Sequence, residues 1–138
     1  KKYFIIRTSW LYSQFNTNFM KTMLRLAQDR DTISVVNDQI GTPTHAVDLA
    51  DVIIKVILSS STNYGIYHFS NEGKASWYDF AKKIFEINKV KINLKPISTS
   101  EFPTPAKRPK YSVLDKTKIK KEFNIAIKKW EDSLEKMD

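Results

Sequence analysis

A chain of 138 residues with a formal net charge of +8, 41% hydrophobic residues and no cysteine suits one folded domain able to bury a core. These numbers exclude a disulfide framework and thiolate metal sites, and the length is too short for a dinucleotide domain plus a full substrate domain. No apolar run approaches the roughly 20 residues of a membrane span, and the opening "KKYFIIRTSW" lacks a signal-type apolar core, so the expectation is a soluble cytoplasmic protein.

In chain order, "YFIIRT" at 3–8 is a β-branched and aromatic run that predicts a strand buried on both faces. Thr17 is placed to cap a helix with an apolar stripe of Phe19, Met20, Met23, Leu24, Leu26 and Ala27. "ISVV" at 33–36 predicts a second strand, and "NDQIGTPT" a loop broken by Gly41 and Pro43. From His45 to Leu58 the pattern is helical but apolar around most of its circumference, which predicts cover on two sides.

"YGIYHFS" at 64–70 reads as a third strand, after which Ser76 caps a helix with Trp77, Phe80, Ala81, Ile84 and Phe85 on one stripe. "INLKPIS" reads as a fourth strand, and Pro96 assigns it to an edge. "EFPTPAKRPK" is too rich in proline for a helix or a central strand and reads as a stiff surface loop. Asp115 is placed to cap a short helix through Phe123, and Trp130, Leu134 and Met137 line the inner face of a closing one.

"SWYDFAKKIFE" contains Tyr78 and Lys82 at the Tyr-x-x-x-Lys spacing used for hydride-transfer chemistry. The spacing is cheap in a chain with six tyrosines and many lysines, and both residues lie on the polar flank of their helix. A dinucleotide loop also needs glycines clustered within six residues, whereas Gly41, Gly65 and Gly73 are scattered. The pair is therefore read as a half-exposed aromatic beside a solvated lysine, and no catalytic residue is assigned. His45 and His68 are isolated, so no metal site is assigned either. The late lysines show no zinc-finger or RNP-like pattern and read as a solvated face, not a nucleic-acid surface.

Three longer blocks, "RTSWLYSQFNTNFMKTMLRLAQDRDTISVVNDQIGTPTHAVDLAD", "GIYHFSNEGKASWYDFAKKIFE" and "FPTPAKRPKYSVLDKTKI", carry a resemblance. Together they resemble the dTDP-4-dehydrorhamnose reductase (RmlD) family of extended short-chain dehydrogenases, and only its C-terminal part. The resemblance implies an α/β fold: residues 1–35 as the last strand and helix units of a Rossmann domain, 36–138 as mainly substrate domain, and the N-terminal Gly-rich half lacking. The family reduces dTDP-4-dehydro-L-rhamnose to dTDP-L-rhamnose with NADH or NADPH, and its Gly-rich loop and true Tyr-x-x-x-Lys would precede Lys1.

The resemblance implies an inactive fragment that binds a dTDP-sugar and holds no cofactor by itself. By the same resemblance Trp10 lines the sugar site, Arg108 reaches the diphosphate and Asn18 assists it, while Thr8 and Ser9 approach the nicotinamide end of the cofactor. Gln39 and Thr44 are weaker candidates in the loop. Some members bridge subunits through a metal held partly by a glutamate where this chain has Val47, which argues against such a bridge here. The uncovered "YFIIRT" strand implies self-association of the fragment. Two other readings stay open: a non-catalytic regulatory relative of the same fold, and a basic nucleic-acid-binding module.

Overall fold

The computed structural model of the chain describes residues 2–136. It is an α/β structure in which four two-stranded pairings, not one continuous sheet, organise the helices. Strand β1 (Phe4–Arg7) runs parallel to β6 (Gly65–His68), and β3 (Thr32–Val36) parallel to β8 (Asn93–Ile97). The pairs β2 (Leu11–Tyr12) with β5 (Thr44–His45) and β4 (Ile40–Gly41) with β7 (Ala75–Ser76) are two residues long.

Helix α3 (Trp77–Ile87) is the central element because its apolar stripe matches the helical period. Phe80, Ala81 and Ile84 are fully buried, and burying a side chain such as Phe80 or Ile84 stabilises the fold by about 1.5–3 kcal/mol. Its start is fixed by a reciprocal cap: the Asp79 N–H donates to Ser76 Oγ and the Ser76 N–H to Asp79 Oδ2, both at 2.9 Å. One side of α3 packs on α1 (Phe19–Asp29) and β3 through Met23, Ile33 and Phe85. The other meets Trp130 and Leu134 of α5 (Trp130–Glu135). A separate cluster joins β1 and β6 to α2 (Ala46–Leu58) and α4 (Thr117–Phe123) through Val52, Val56, Tyr67 and Ile119.

Several expectations hold. Ser76 caps α3, the 102–110 loop is exposed throughout, and β8 pairs only with β3, so Pro96 does lie on an edge strand. Others are corrected. Asn18, not Thr17, caps α1, because its Oδ1 accepts from the Lys21 N–H at 3.2 Å. Asp115 accepts from the Thr117 N–H at 2.8 Å, but the helix boundary itself falls at Lys116. The expected 37–44 loop contains β4 and the first residue of β5, whose partners lie far away in sequence.

The strand at β1 is covered on one face only: Phe4 and Ile6 turn inward, while Ile5 stands 44% exposed opposite Ile66 at 41%. Likewise α2 buries only Asp48, Val52 and Val56 fully, and leaves Val47, Ile54, Ile57 and Leu58 exposed. Apolar composition sets how much surface could be buried; it does not supply a neighbour. Met137 lies outside the described residues.

With so little sheet, a buried polar hub ties the elements together. Asp48 Oδ2 accepts from Asn71 Nδ2 at 2.7 Å and from Ser133 Oγ at 2.5 Å, and Oδ1 accepts from Lys128 Nζ at 2.9 Å. Asn71 Oδ1 in turn accepts the His45 N–H at 2.8 Å, which fixes the start of α2. Burial acts to raise the Asp48 carboxyl, but the bonds from Ser133, Asn71 and Lys128 outweigh it and hold the group below its ordinary value. A depressed folded pKa gives stability that is full above the unfolded value, 3.8, and is lost as pH falls through the folded one. Denaturant titrations should therefore lose stability below about pH 4. Asp48→Ala should cost about 1–3 kcal/mol at neutral pH and flatten that acid limb. An acid limb unchanged in the variant would assign it to other carboxylates.

Candidate functional site

The turn at Ser9–Trp10 is held open against its own backbone preference. Trp10 has φ +47°, a conformation that costs a bulky residue on the order of 1–3 kcal/mol. Three bonds to Thr42 and Thr44, in and just after the link between β4 and β5, maintain it. Thr44 Oγ1 donates to the Ser9 carbonyl at 2.6 Å, the Thr44 N–H to the Trp10 carbonyl at 3.1 Å, and Ser9 Oγ to the Thr42 carbonyl at 3.2 Å.

The strained turn delivers the Trp10 indole onto Trp77, with ring centroids 3.6 Å apart and planes within 12°. Phe19 leans on Trp77 from 4.7 Å and connects this pair to the core. From another direction comes the proline-framed loop. Its far end is tied to β4, with the Ile40 N–H donating to the Lys110 carbonyl and the Ser112 N–H to the Ile40 carbonyl, each at 2.8 Å.

These elements enclose a cavity of about 150 Å³ lined by Trp10, Gln39, Trp77, Arg108, Pro109 and Ser112. Gln39 Nε2 donates to Thr99 Oγ1 at 3.1 Å. Thr99 donates from Oγ1 and from its N–H to Asp38 Oδ1, and these bonds hold the exposed carboxyl below its ordinary value. The wall thus combines aromatic faces, one guanidinium fork and one oriented amide. Such a set suits a sugar ring joined to a phosphate.

Trp10 and Arg108, the two residues of greatest sequence interest, line the same cavity, and Gln39 joins them. Asn18 does not line it. Its Nδ2 donates to the carbonyls of Ser13 at 2.7 Å and Phe15 at 3.3 Å while its Oδ1 caps α1. Thr8 is exposed, and Ser9 serves the turn through its hydroxyl and carbonyl. Thr44 has the same structural duty, and His45 sits at the start of α2. Trp77, placed by periodicity in a buried stripe, is only half-buried and forms part of the cavity wall. A helical period cannot separate a core ring from a cavity wall.

Tyr78 is half-buried against the Met23 and Phe85 cluster and Lys82 is exposed. Both border a shallow groove of about 400 Å³ that shares no lining residue with the Trp10 cavity. Nor is there a cradle for a dinucleotide pyrophosphate among the described residues: Gly41, Gly65 and Gly73 lie on separate elements, and a side chain at Gly73 would meet Trp130. Among the described residues no cluster of three His, Asp or Glu side chains forms a metal site, and no helix is long and apolar enough to cross a membrane.

The α/β fold that carries this cavity has counterparts among known proteins. The RmlD substrate binding domain family matches residues 1–137, and the chain belongs to that family. It is 47% identical over 143 residues to a dTDP-4-dehydrorhamnose reductase of Aggregatibacter actinomycetemcomitans, spanning 96% of this chain and 49% of that one. It superposes with TM-score 0.92 and 47% identity on the dTDP-4-dehydrorhamnose reductase of Bacillus anthracis solved in complex with NADP. The reductase of Clostridium acetobutylicum gives 0.90 and 46%. Each superposition covers 99% of this chain and 48% of the other. The chain spans about half the length of the relatives it matches.

Asn18→Ala should lower stability by about 1 kcal/mol through loss of the cap. Thermal melting with urea titration measures this, and a neutral result would mean that water replaces the amide at no cost.

Proposed function

We propose that this chain is the sugar-nucleotide side of a dTDP-4-dehydrorhamnose reductase, corresponding to the C-terminal part of that enzyme. In the whole protein it would present dTDP-4-dehydro-L-rhamnose for reduction by NADH or NADPH held on the other half, in the cytoplasm. Residues 1–35 would continue the cofactor domain and 36–138 form most of the substrate side. The observation that carries this reading is the meeting of Trp10 and Arg108, some hundred residues apart in sequence, in one cavity of a chain that belongs to the RmlD family.

In this reading the Trp10 indole packs against the apolar face of the deoxy sugar, and Arg108 offers forked donors to the diphosphate. Asn18 could join the diphosphate only by giving up a bond to Ser13 or Phe15. Thr8 and Ser9 face the cofactor side. The fragment by itself is expected to be inactive and to bind neither nicotinamide dinucleotide. Calorimetry with dTDP-L-rhamnose tests the proposal directly. Arg108→Lys should cost about 1–3 kcal/mol of that binding, since an ammonium does not reproduce the fork. Unchanged affinity would remove Arg108 from the site, and micromolar NADPH binding would refute the division of labour.

The same reading accounts for the bare apolar surface. Parallel strands are almost always covered on both faces, and a lone pair is marginal. The outer face of β1 and β6, with Ile5 and Ile66 paired across it, would be covered by the rest of the longer protein. The isolated chain should then self-associate through this face. Sedimentation should show association rising with concentration and reduced by Ile66→Lys; a monomer at every concentration would count against it.

A further inference from the structure

The Trp10 ring is located by more than its own turn. An ideal Cβ built on Gly41 would lie 2.6 Å from Trp10 Cε2, 2.7 Å from Cζ2 and 2.9 Å from Nε1. Real side chains do not sit that close to a rigid ring, so the indole occupies space that exists only because residue 41 is glycine. Gly41 has an ordinary strand conformation, which leaves this close approach as the reason for the missing side chain. The same indole is stacked on Trp77 at 3.6 Å. The two contacts are not independent. Gly41 pairs with Ala75 across β4 and β7, and Trp77 opens the helix that follows β7, so one small sheet sets both distances to the ring.

We propose that Gly41 and Trp77 are positioning residues of the sugar-nucleotide site, fixing Trp10 in the single orientation in which it forms a wall of the cavity shared with Arg108. The assignment rests on the sugar-nucleotide reading given above. A ring held before the ligand arrives loses no rotamer freedom on binding, and the benefit falls on the portion of the ligand that touches the ring. Disturbing Gly41 or Trp77 therefore weakens recognition of the sugar and spares that of the nucleoside diphosphate, which Arg108 serves. A residue that only stabilised the fold would affect both equally.

The experiment compares dTDP-L-rhamnose with dTDP by calorimetry on the 138-residue chain and follows the far-ultraviolet circular-dichroism couplet of the stacked indoles. Trp130, the third tryptophan, has Phe80 as its aromatic neighbour and does not contribute a second stacked pair. Gly41→Ala keeps all three indoles, yet the couplet should collapse because the Trp10 ring is displaced. Gly41→Ala and Trp77→Ala should each weaken dTDP-L-rhamnose on the order of tenfold while dTDP changes by less than about twofold, and Trp77→Phe, which restores a stack, should recover most of the loss. Trp77→Leu stands in if Trp77→Ala does not fold. Equal losses for both ligands, or an unchanged couplet and affinity in Gly41→Ala, overturn the positioning role alone. Failure of the wild-type chain to bind either compound overturns the sugar-nucleotide reading, and the positioning role with it.

Discussion

The structure depends on the buried contact between Asp48 and Asn71. Four short strand pairs cannot by themselves hold five helices in register, because each pair touches only its neighbours. Asn71, fully buried, receives the start of α2 through its oxygen and grips Asp48 through its nitrogen. Asp48 then gathers Ser133 and Lys128 from the C-terminal segment. A buried carboxylate is tolerable only when its lone pairs are filled, and here three donors fill them. The hub brings α5 onto α3, and α3 carries Trp77 to the cavity. The site inherits its geometry from polar bonds more than 20 residues apart in every case.

The Ser9–Trp10 turn shows how such a scaffold spends stability. A tryptophan at positive φ is unfavourable, and it persists because Thr44, Thr42 and the stacked Trp77 all act on the same two residues. Strain of this kind is sustained only where surroundings over-determine the backbone. The return is an aromatic wall in a small cavity that Arg108 also lines, with an amide oriented by the Asp38–Thr99 pair beside it.

What the sequence made legible follows from where each signal resides. The helices α1 and α3 were plain because their stripes, Met20 with Met23 and Phe80 through Phe85, repeat within a dozen residues. Strands β4 and β5 were invisible because two residues carry no period and their partners, Ser76 and Leu11, lie more than 30 residues away. Cover on α2 is not legible for a different reason: apolar composition is local, but a neighbour is not. Trp10 and Arg108 are legible only through the family resemblance, whereas in one dimension Trp77 is indistinguishable from core and Gly41 from a loop breaker. Neither role has a one-dimensional signature, since each exists only as a distance to the Trp10 ring.

The two long parallel pairings have a kinetic side. Residues of β1 meet β6, and those of β3 meet β8, about sixty positions along the chain. Chains dominated by such distant contacts fold slowly, because loop closure must precede any reward. On a ribosome adding about 5–20 residues per second, each early strand waits several seconds for its partner to emerge. Throughout that interval "FIIR" lacks its β6 partner. The time it spends without that partner is then set by how fast synthesis proceeds, a quantity the folded structure does not display.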